Sequence, residues 1–141
     1  MPETYEYEKR PWYPNMRPED VAIWERFIEA YPEAYTQVSY DVLVGSPPQF
    51  DTQVGDHPAS DDIRLYKKKI DVVGNKPGLV HIIELKPNAG PSALGQVAGY
   101  RILYERDISN SPRVQMMVIT DVLRLDMAHL AEQMNVMLIV V

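Results

Sequence analysis

Apolar residues recur along this chain at two spacings, and together these spacings predict an α/β fold. Steps of three and four residues, as in Val21, Trp24 and Ile28, are typical of amphipathic helices. Alternating or continuous apolar runs bounded by Gly, Pro or Asn are typical of strands. We therefore expect helices over about 18–30, 88–106 and 124–134, and strands over about 35–44, 64–73, 79–86, 114–120 and 136–141. The predicted order is αβββαβαβ, which indicates an α/β protein.

The remaining segments do not follow either spacing. Residues 1–18 carry four prolines and several tyrosines, and we expect them to form an irregular N-terminal arm. Residues 46–62 carry three prolines and four aspartates, which predicts an acidic loop longer than most connections. Residues 136–141 are an unbroken apolar run, which is typical of a strand buried on both faces. The 141 residues are enough for one domain, so residues 1–141 are expected to share one core.

Composition and charge narrow the class of protein. Apolar residues make up 45% and charged residues 24% of the chain, as in globular proteins. The net charge of −6 argues against a protein that coats nucleic acid without specificity. No apolar run reaches the ~18 residues that a membrane span needs. The polar N-terminus and the absence of cysteine favour a cytoplasmic location.

Three charged residues stand at the ends of adjacent apolar strands. Asp71 lies near the end of the second predicted strand, and Glu84 and Lys86 lie near the end of the third. Side chains alternate along a strand, so Glu84 and Lys86 share a face. Unpaired charge on a buried face is costly, whereas a metal ion held by the two carboxylates would account for it. A cross-strand ion pair on an exposed sheet is the simpler alternative.

The pairing of these two strands decides whether the acids meet. The segment 74–78 is rich in turn-forming residues and predicts a hairpin. If Val73 pairs with Val80, Glu84 lies diagonally beside Asp71 on the same face, within reach of one shared ion. A register shifted by one residue would separate the acids onto opposite faces. We therefore expect the Val73–Val80 register or a bulge that restores it.

A helical motif follows the lysine strand and completes a known pattern. Gln96 and Tyr100 are four residues apart on the next predicted helix and share a face of it. The combination of Asp71, the triplet 84–86 and this Gln-x-x-x-Tyr motif resembles the PD-(D/E)XK nuclease superfamily, and its RecB-like branch in particular. The resemblance spans roughly residues 19–120, although Ile70 replaces the proline of the formal motif. It implies a restriction-endonuclease-like core with a central mixed sheet flanked by helices on both faces.

The resemblance also implies a metal site. Asp71 and Glu84 match the family's two carboxylate ligands, and the Leu85 backbone carbonyl matches a further ligand. Glu25 on the first helix is a weaker match to an acidic residue that many members place near the metal. The implied ion is Mg²⁺, with Mn²⁺ as a substitute, since carboxylate oxygens and waters are its usual ligands. His57, with Asp residues of the acidic loop, is a separate and weaker metal candidate.

Other positions are matched to the reaction and the substrate. Lys86 corresponds to the residue that orients or deprotonates the attacking water. Gln96 and Tyr100 correspond to the motif that supports the site and approaches the nucleic-acid backbone. Lys67 and Lys69 have the parity of Asp71 and are expected to contact substrate from the same face, unless they form a solvated edge.

The implied function is metal-dependent hydrolysis of phosphodiester bonds in nucleic acid, with DNA favoured over RNA. Phage, mobile-element and repair roles suit a small endonuclease of this kind. The alternative is a non-catalytic subunit that keeps the nuclease fold inside a nucleoprotein assembly. An acidic mimic of nucleic acid is a third and weaker alternative, and a homodimer or a protein partner fits either of the first two.

A few aromatic residues and one histidine leave alternatives open. Trp12, Tyr13 and Trp24 could stack on bases, as in single-strand binders, or seal the arm against the body. His81 differs in parity from Glu84, so we expect it to face the other layer as a core histidine.

Overall fold

The computed structural model describes residues 2–46, 68–108 and 113–141. They form an α/β fold with a six-stranded mixed sheet and three helices. The strands are β1 (Tyr5–Glu6), β2 (Gln37–Val44), β3 (Lys68–Lys76), β4 (Leu79–Leu85), β5 (Val114–Thr120) and β6 (Val136–Val140). The helices are α1 (Pro18–Ala30), α2 (Pro91–Asp107) and α3 (Leu125–Gln133).

The sheet is open, and its strands lie in chain order from β1 to β6. Pairs from β1 to β4 are antiparallel, and the β4–β5 and β5–β6 pairs are parallel, with helices as the crossovers. The element order begins with a short strand that the predicted order αβββαβαβ lacks. This strand forms because Tyr5 of the arm pairs with Val38 of β2, so the arm is not irregular throughout.

Alternating side chains divide the core into two layers, one on each face of the sheet. On one face, Trp24 and Phe27 of α1 pack in a cluster with Ile83 and Leu85 of β4. We call this cluster the α1-side core. Helices α2 and α3 cover the opposite face and form the α2-side core, whose buried members include Ile82, Leu94, Val97, Val118, Met127 and Ala131. Helices therefore lie on both faces of the sheet.

Helix α1 forms where its sequence predicts it. Pro18 occupies the first turn, where a missing N–H costs nothing, and Glu19 and Asp20 place negative charge at the positive end of the helix. Its buried positions fall on one face, and the Trp24 indole donates a hydrogen bond of 3.0 Å to the Tyr40 hydroxyl of β2. This bond fixes the helix against the strand that leads to the candidate site.

The register predicted for the β3–β4 hairpin is wrong by two residues. Lys76 pairs with Leu79, so only Pro77 and Gly78 form the turn, and Val73 pairs with Ile82 instead of Val80. Proline followed by a glycine with φ of +76° is the sequence of a tight type II turn. The predicted five-residue connection is therefore too long, because β3 continues to Lys76.

The last strand also differs from its prediction. Strand β6 lies at the edge of the sheet, and only Val136 is buried, while Met137 and Val140 are exposed. An unbroken apolar run did not indicate burial here because no described strand lies beyond β6. Among the described helices, none is both long and apolar enough to cross a membrane.

Candidate metal centre

Strands β3 and β4 separate at the position of the predicted acids. Their ladder ends at the pair Val72 and Ile83, whereas β3 stays paired with β2 as far as Lys68 and β4 stays paired with β5 as far as Leu85. Beyond the last pair, the Asp71 carboxylate accepts a hydrogen bond of 2.9 Å from the Leu85 amide. A side chain thus satisfies an amide that lost its backbone partner. We call this opening the fork.

A backbone bend on the neighbouring strand accompanies the fork. Asp41 of β2 has φ of +52°, a left-handed conformation that is uncommon within a strand. On either side of it the strand changes face: Tyr40 packs in the α1-side core and Val42 in the α2-side core. Strand β3 makes the same change between Val72 and Ile70. The β2–β3 pair therefore bends as a unit at Asp41 and at Asp71.

The fork brings the carboxyl groups of Asp71 and Glu84 into hydrogen-bonding contact. Glu84 is buried, with 8% of its surface exposed. Burial, followed by the charge of Asp71, raises the pKa of Glu84 well above its ordinary value of 4.5. Burial also raises the pKa of Asp71, and the hydrogen bond from the Leu85 amide opposes that rise. Glu84 therefore keeps its proton and donates a hydrogen bond to Asp71, unless a cation replaces that proton.

Two further charges act on this pair from the rim. Asp20, in the first turn of α1, raises the pKa of both Asp71 and Glu84, and Lys86 opposes the shift of Glu84. Burial raises the pKa of Asp20 as well, and the charge of Lys86 offsets part of this rise. Lys86 follows β4 directly and is exposed. Its positive charge partly offsets the rise in the pKa of both Asp20 and Glu84.

Helix α2 contributes Tyr100 to the same neighbourhood. Tyr100 is half-buried against the α2-side core. Burial raises its pKa to about 12, with smaller contributions from the charges of Glu84 and Asp71. Its hydroxyl is therefore protonated at neutral pH and able to donate a hydrogen bond. Gln96 lies one turn earlier on the same face of α2 and is exposed.

Comparison of the chain with protein-family models, curated proteins and solved structures gives no significant match. The chemistry of the site is therefore argued from its own residues.

Other predicted site residues have contacts of their own or lie outside the described residues. Glu25 accepts a hydrogen bond of 2.8 Å from the Tyr13 hydroxyl, and the acid of α1 whose charge acts on the pair is Asp20. Lys69 is exposed and pairs with Leu43, but the change of face at Asp71 breaks the parity on which its prediction rested. Lys67, the acidic loop from residue 47 onward and His57 lie outside the described residues.

Two acids near the fork were missed from the sequence. In the sequence, Asp20 is an ordinary first-turn acid of α1. The search for an acid on this helix could have included the residues that precede Glu25. Asp41 lies in the middle of an apolar strand, a depleted position for Asp, and that was an available signal. Asp41 accepts a hydrogen bond of 2.6 Å from the Asn15 side-chain amide, and its charge raises the pKa of Asp71.

The residues at the fork fit a divalent cation. Two carboxylates in contact repel each other when both are ionised, and an ion between them removes the repulsion. Carboxylate and carbonyl oxygens completed by waters form the usual ligand set of Mg²⁺. In the described ranges no group of three or more His, Cys, Asp and Glu side chains is arranged to hold a metal. Mg²⁺ is often bound by one or two carboxylates, and the pair at the fork offers two.

Proposed function

We propose that this protein is a Mg²⁺-dependent nuclease that hydrolyses phosphodiester bonds, with DNA as the favoured substrate. The observation that carries the proposal is the contact between the Asp71 and Glu84 carboxyl groups in a buried fork with Lys86 at its rim. Buried acids with raised pKa values cluster at functional sites. The resemblance of these positions and of Gln96 and Tyr100 to the PD-(D/E)XK pattern supports the same function.

The charge around the fork explains why a cation is required. The charges of Asp20 and Asp41 act on the pair of Asp71 and Glu84, and this negative field would repel a phosphate diester. Asp71 and Glu84, with the Leu85 carbonyl, would hold the ion. When bound, Mg²⁺ supplies a more acidic water and stabilises negative charge on the phosphate.

The remaining residues act on the substrate and the water. Lys86 would orient the attacking water and stabilise the charge that develops when its oxygen bonds to phosphorus. The attacking water gives up one proton to solvent, and as the ester P–O bond breaks the leaving oxygen takes up a proton from solvent, so the products are a phosphate monoester and an alcohol. The Tyr100 hydroxyl remains protonated and would donate to a non-bridging phosphate oxygen, with Gln96 on its solvent side.

The test is cleavage of plasmid DNA and of a single-stranded oligonucleotide with Mg²⁺ or Mn²⁺. We expect activity in the wild type and its loss in Glu84→Gln and Lys86→Ala. Matched controls are Glu132→Gln on α3 and Lys76→Ala at the far end of β3, both exposed, which should cleave like the wild type. Equal activity in all five proteins would overturn the proposal, as would the absence of cleavage by the wild type.

A second candidate function is a non-catalytic subunit of a nucleoprotein assembly. The observation that favours it is the edge strand β6, which exposes Met137 and Val140 where a partner strand could pair. Calorimetry with Mn²⁺ separates the candidates: heat that Glu84→Gln abolishes favours the nuclease, and no heat at millimolar metal favours the subunit.

A further inference from the structure

The cleft between the N-terminal arm and helix α1 has no role in the proposed chemistry. Its volume is about 350 Å³, and Arg10, Trp12, Tyr13, Asn15 and Glu25 contribute to its walls. Trp12 has 63% of its surface exposed, whereas the other tryptophan of the chain, Trp24, is fully buried. An exposed indole at the wall of a cleft offers a flat face on which a ligand can stack.

The arm is held firmly enough to present this indole. The ring of Tyr13 is buried, 5.5 Å from that of Tyr40 between centroids. Its hydroxyl donates to Glu25 at 2.8 Å and accepts from the Arg10 amide at 3.0 Å. Trp12 lies between two residues that are thus fixed, so its backbone position is set before any ligand arrives. A pre-organised segment loses little entropy on binding.

The cleft lies next to the fork. Asn15 and Met16 form part of its wall, and the same two residues line a small cavity that includes Asp41 and Asp71. Trp12 and Asn15 are three positions apart in the chain, so their Cα atoms lie within about 11 Å of each other. A strand whose phosphate sits at the fork would therefore have neighbouring bases within reach of Trp12.

The cleft suits an unpaired nucleobase. The face of an indole stacks on any base, and a nearby guanidinium such as that of Arg10 favours the attached phosphate. The Glu25 Oε1 atom has no hydrogen bond to another described residue, and a carboxylate accepts from the exocyclic amine of cytosine. In a duplex both faces of a base are already stacked on its neighbours, so the indole favours a single strand.

We propose that Trp12, Arg10 and Glu25 bind an unpaired nucleobase of DNA next to the scissile phosphate. This inference rests on the proposed nuclease function for its substrate, but its test measures binding alone. The probe is short single-stranded oligodeoxycytidylate, titrated in EDTA while tryptophan fluorescence is recorded. The buried Trp24 serves as an internal reference, because only Trp12 can contact the probe.

We expect the oligonucleotide to quench the fluorescence of the wild type and not that of Trp12→Phe, which retains only Trp24. By fluorescence anisotropy of a labelled probe, Trp12→Ala should weaken binding about tenfold, and Trp12→Phe, which can still stack, by less. Leu125→Ala, at an apolar residue with 82% exposure elsewhere on the surface, is the matched control and should bind like the wild type. A probe of the same length that lacks bases should bind the wild type about tenfold more weakly than the normal probe does. Trp12→Ala should bind the two probes equally.

The outcomes separate the two proposals. Equal affinity of the wild type and Trp12→Ala, or equal affinity for the normal and abasic probes, overturns the base site whatever the cleavage assay gives. Quenching of Trp12 without cleavage in Mg²⁺ or Mn²⁺ keeps the base site and overturns the nuclease. Quenching by blunt duplex as strong as by single strand contradicts the requirement for an unpaired base.

Discussion

The Leu85 amide donates its hydrogen bond to the Asp71 carboxylate, at 2.9 Å, where the ladder between β3 and β4 ends. One side chain therefore supports the backbone of the fork and supplies half of the carboxylate pair. Substitutions at Asp71 are expected to affect stability and chemistry together, and the two effects can be separated by the choice of replacement.

Asp71→Asn and Asp71→Ala separate these roles. Both remove the negative charge, but asparagine keeps an oxygen that can accept from the Leu85 amide. Because a buried amide without a partner costs about 1–3 kcal/mol, we expect the alanine variant to be less stable than the asparagine variant by that amount. Urea unfolding measures the difference, and both variants should lack cleavage. Equal stabilities would show that the amide finds another partner.

The stability of the metal-free protein should fall as the pH rises above 4.5. In the unfolded chain Glu84 ionises near that value, whereas burial and then Asp71 keep its proton on in the folded protein. The folded state then binds more protons, so the free energy of unfolding decreases with pH until the folded carboxyl also ionises. Glu84→Gln should remove this slope and be more stable than the wild type at neutral pH, by about 1.4 kcal/mol for each pH unit above 4.5. Parallel curves for the two proteins would contradict the shared proton.

Metal binding should replace that proton and stabilise the fold. Thermal unfolding in EDTA and in Mn²⁺ should differ by several degrees in the wild type, and the difference should grow with pH because protons compete for the same oxygens. Glu84→Gln and Asp71→Asn should show little response to metal, and Glu132→Gln should respond like the wild type. A response that survives in Glu84→Gln would locate the ion elsewhere.

His81 should limit stability on the acidic side. Its Nδ1 atom lies 2.7 Å from the Tyr35 hydroxyl, and its Nε2 atom lies 3.1 Å from the side-chain Oε1 atom of Gln115. Burial lowers the pKa of His81 below 6.5. Below pH 6.5 the unfolded chain takes up a proton that the folded state refuses, so the contribution of His81 to stability falls as the pH decreases and opposes that of Glu84 between pH 4.5 and 6.5. His81→Gln should flatten this limb, and an NMR titration of the imidazole should give a pKa below 6.5. A midpoint above 6.5 would reverse the predicted sign.

Two glycines should respond to alanine in opposite directions. A Cβ at Gly74 would lie 2.5 Å from the Tyr35 ring, which packs across the strand at this point, so Gly74→Ala should destabilise the protein. A Cβ at Gly95 in α2 would meet nothing within 4 Å, so Gly95→Ala should stabilise the helix by about 0.5–1 kcal/mol. Denaturant midpoints of the two variants on either side of the wild type would agree with this packing.

Much of the fold followed from local pattern. The bounds of α1 could be predicted because Pro18, the acids after it and the apolar spacing all indicate the same helix. The predicted hairpin register was wrong, yet the acids still share a face. The error was two residues, and the alternation of side chains has a period of two, so the face of Asp71 relative to Glu84 did not change.

Other features depend on contacts between distant segments. The bend at Asp41 and the face change at Asp71 violate the alternation on which parity arguments rest, so the prediction for Lys69 lost its basis. The sequence left Trp12, Tyr13 and Trp24 equivalent. The structure separates them, because Tyr13 and Trp24 fill the α1-side core and leave Trp12 exposed.

The sequence by itself determined the identity and the spacing of the chemical groups: Asp71 and Glu84 on one face, Lys86 two residues further, and the helices and strands that carry them. These follow from the periods of strands and helices, which are local properties of the backbone. Only the tertiary structure decided that β3 and β4 separate at the acids, that Asp20 supplies the charge from α1, and that β6 is an edge. Each of these depends on which segments pack side by side. The packing is decided by the apolar surface that the whole chain buries, which the local spacing of residues does not encode.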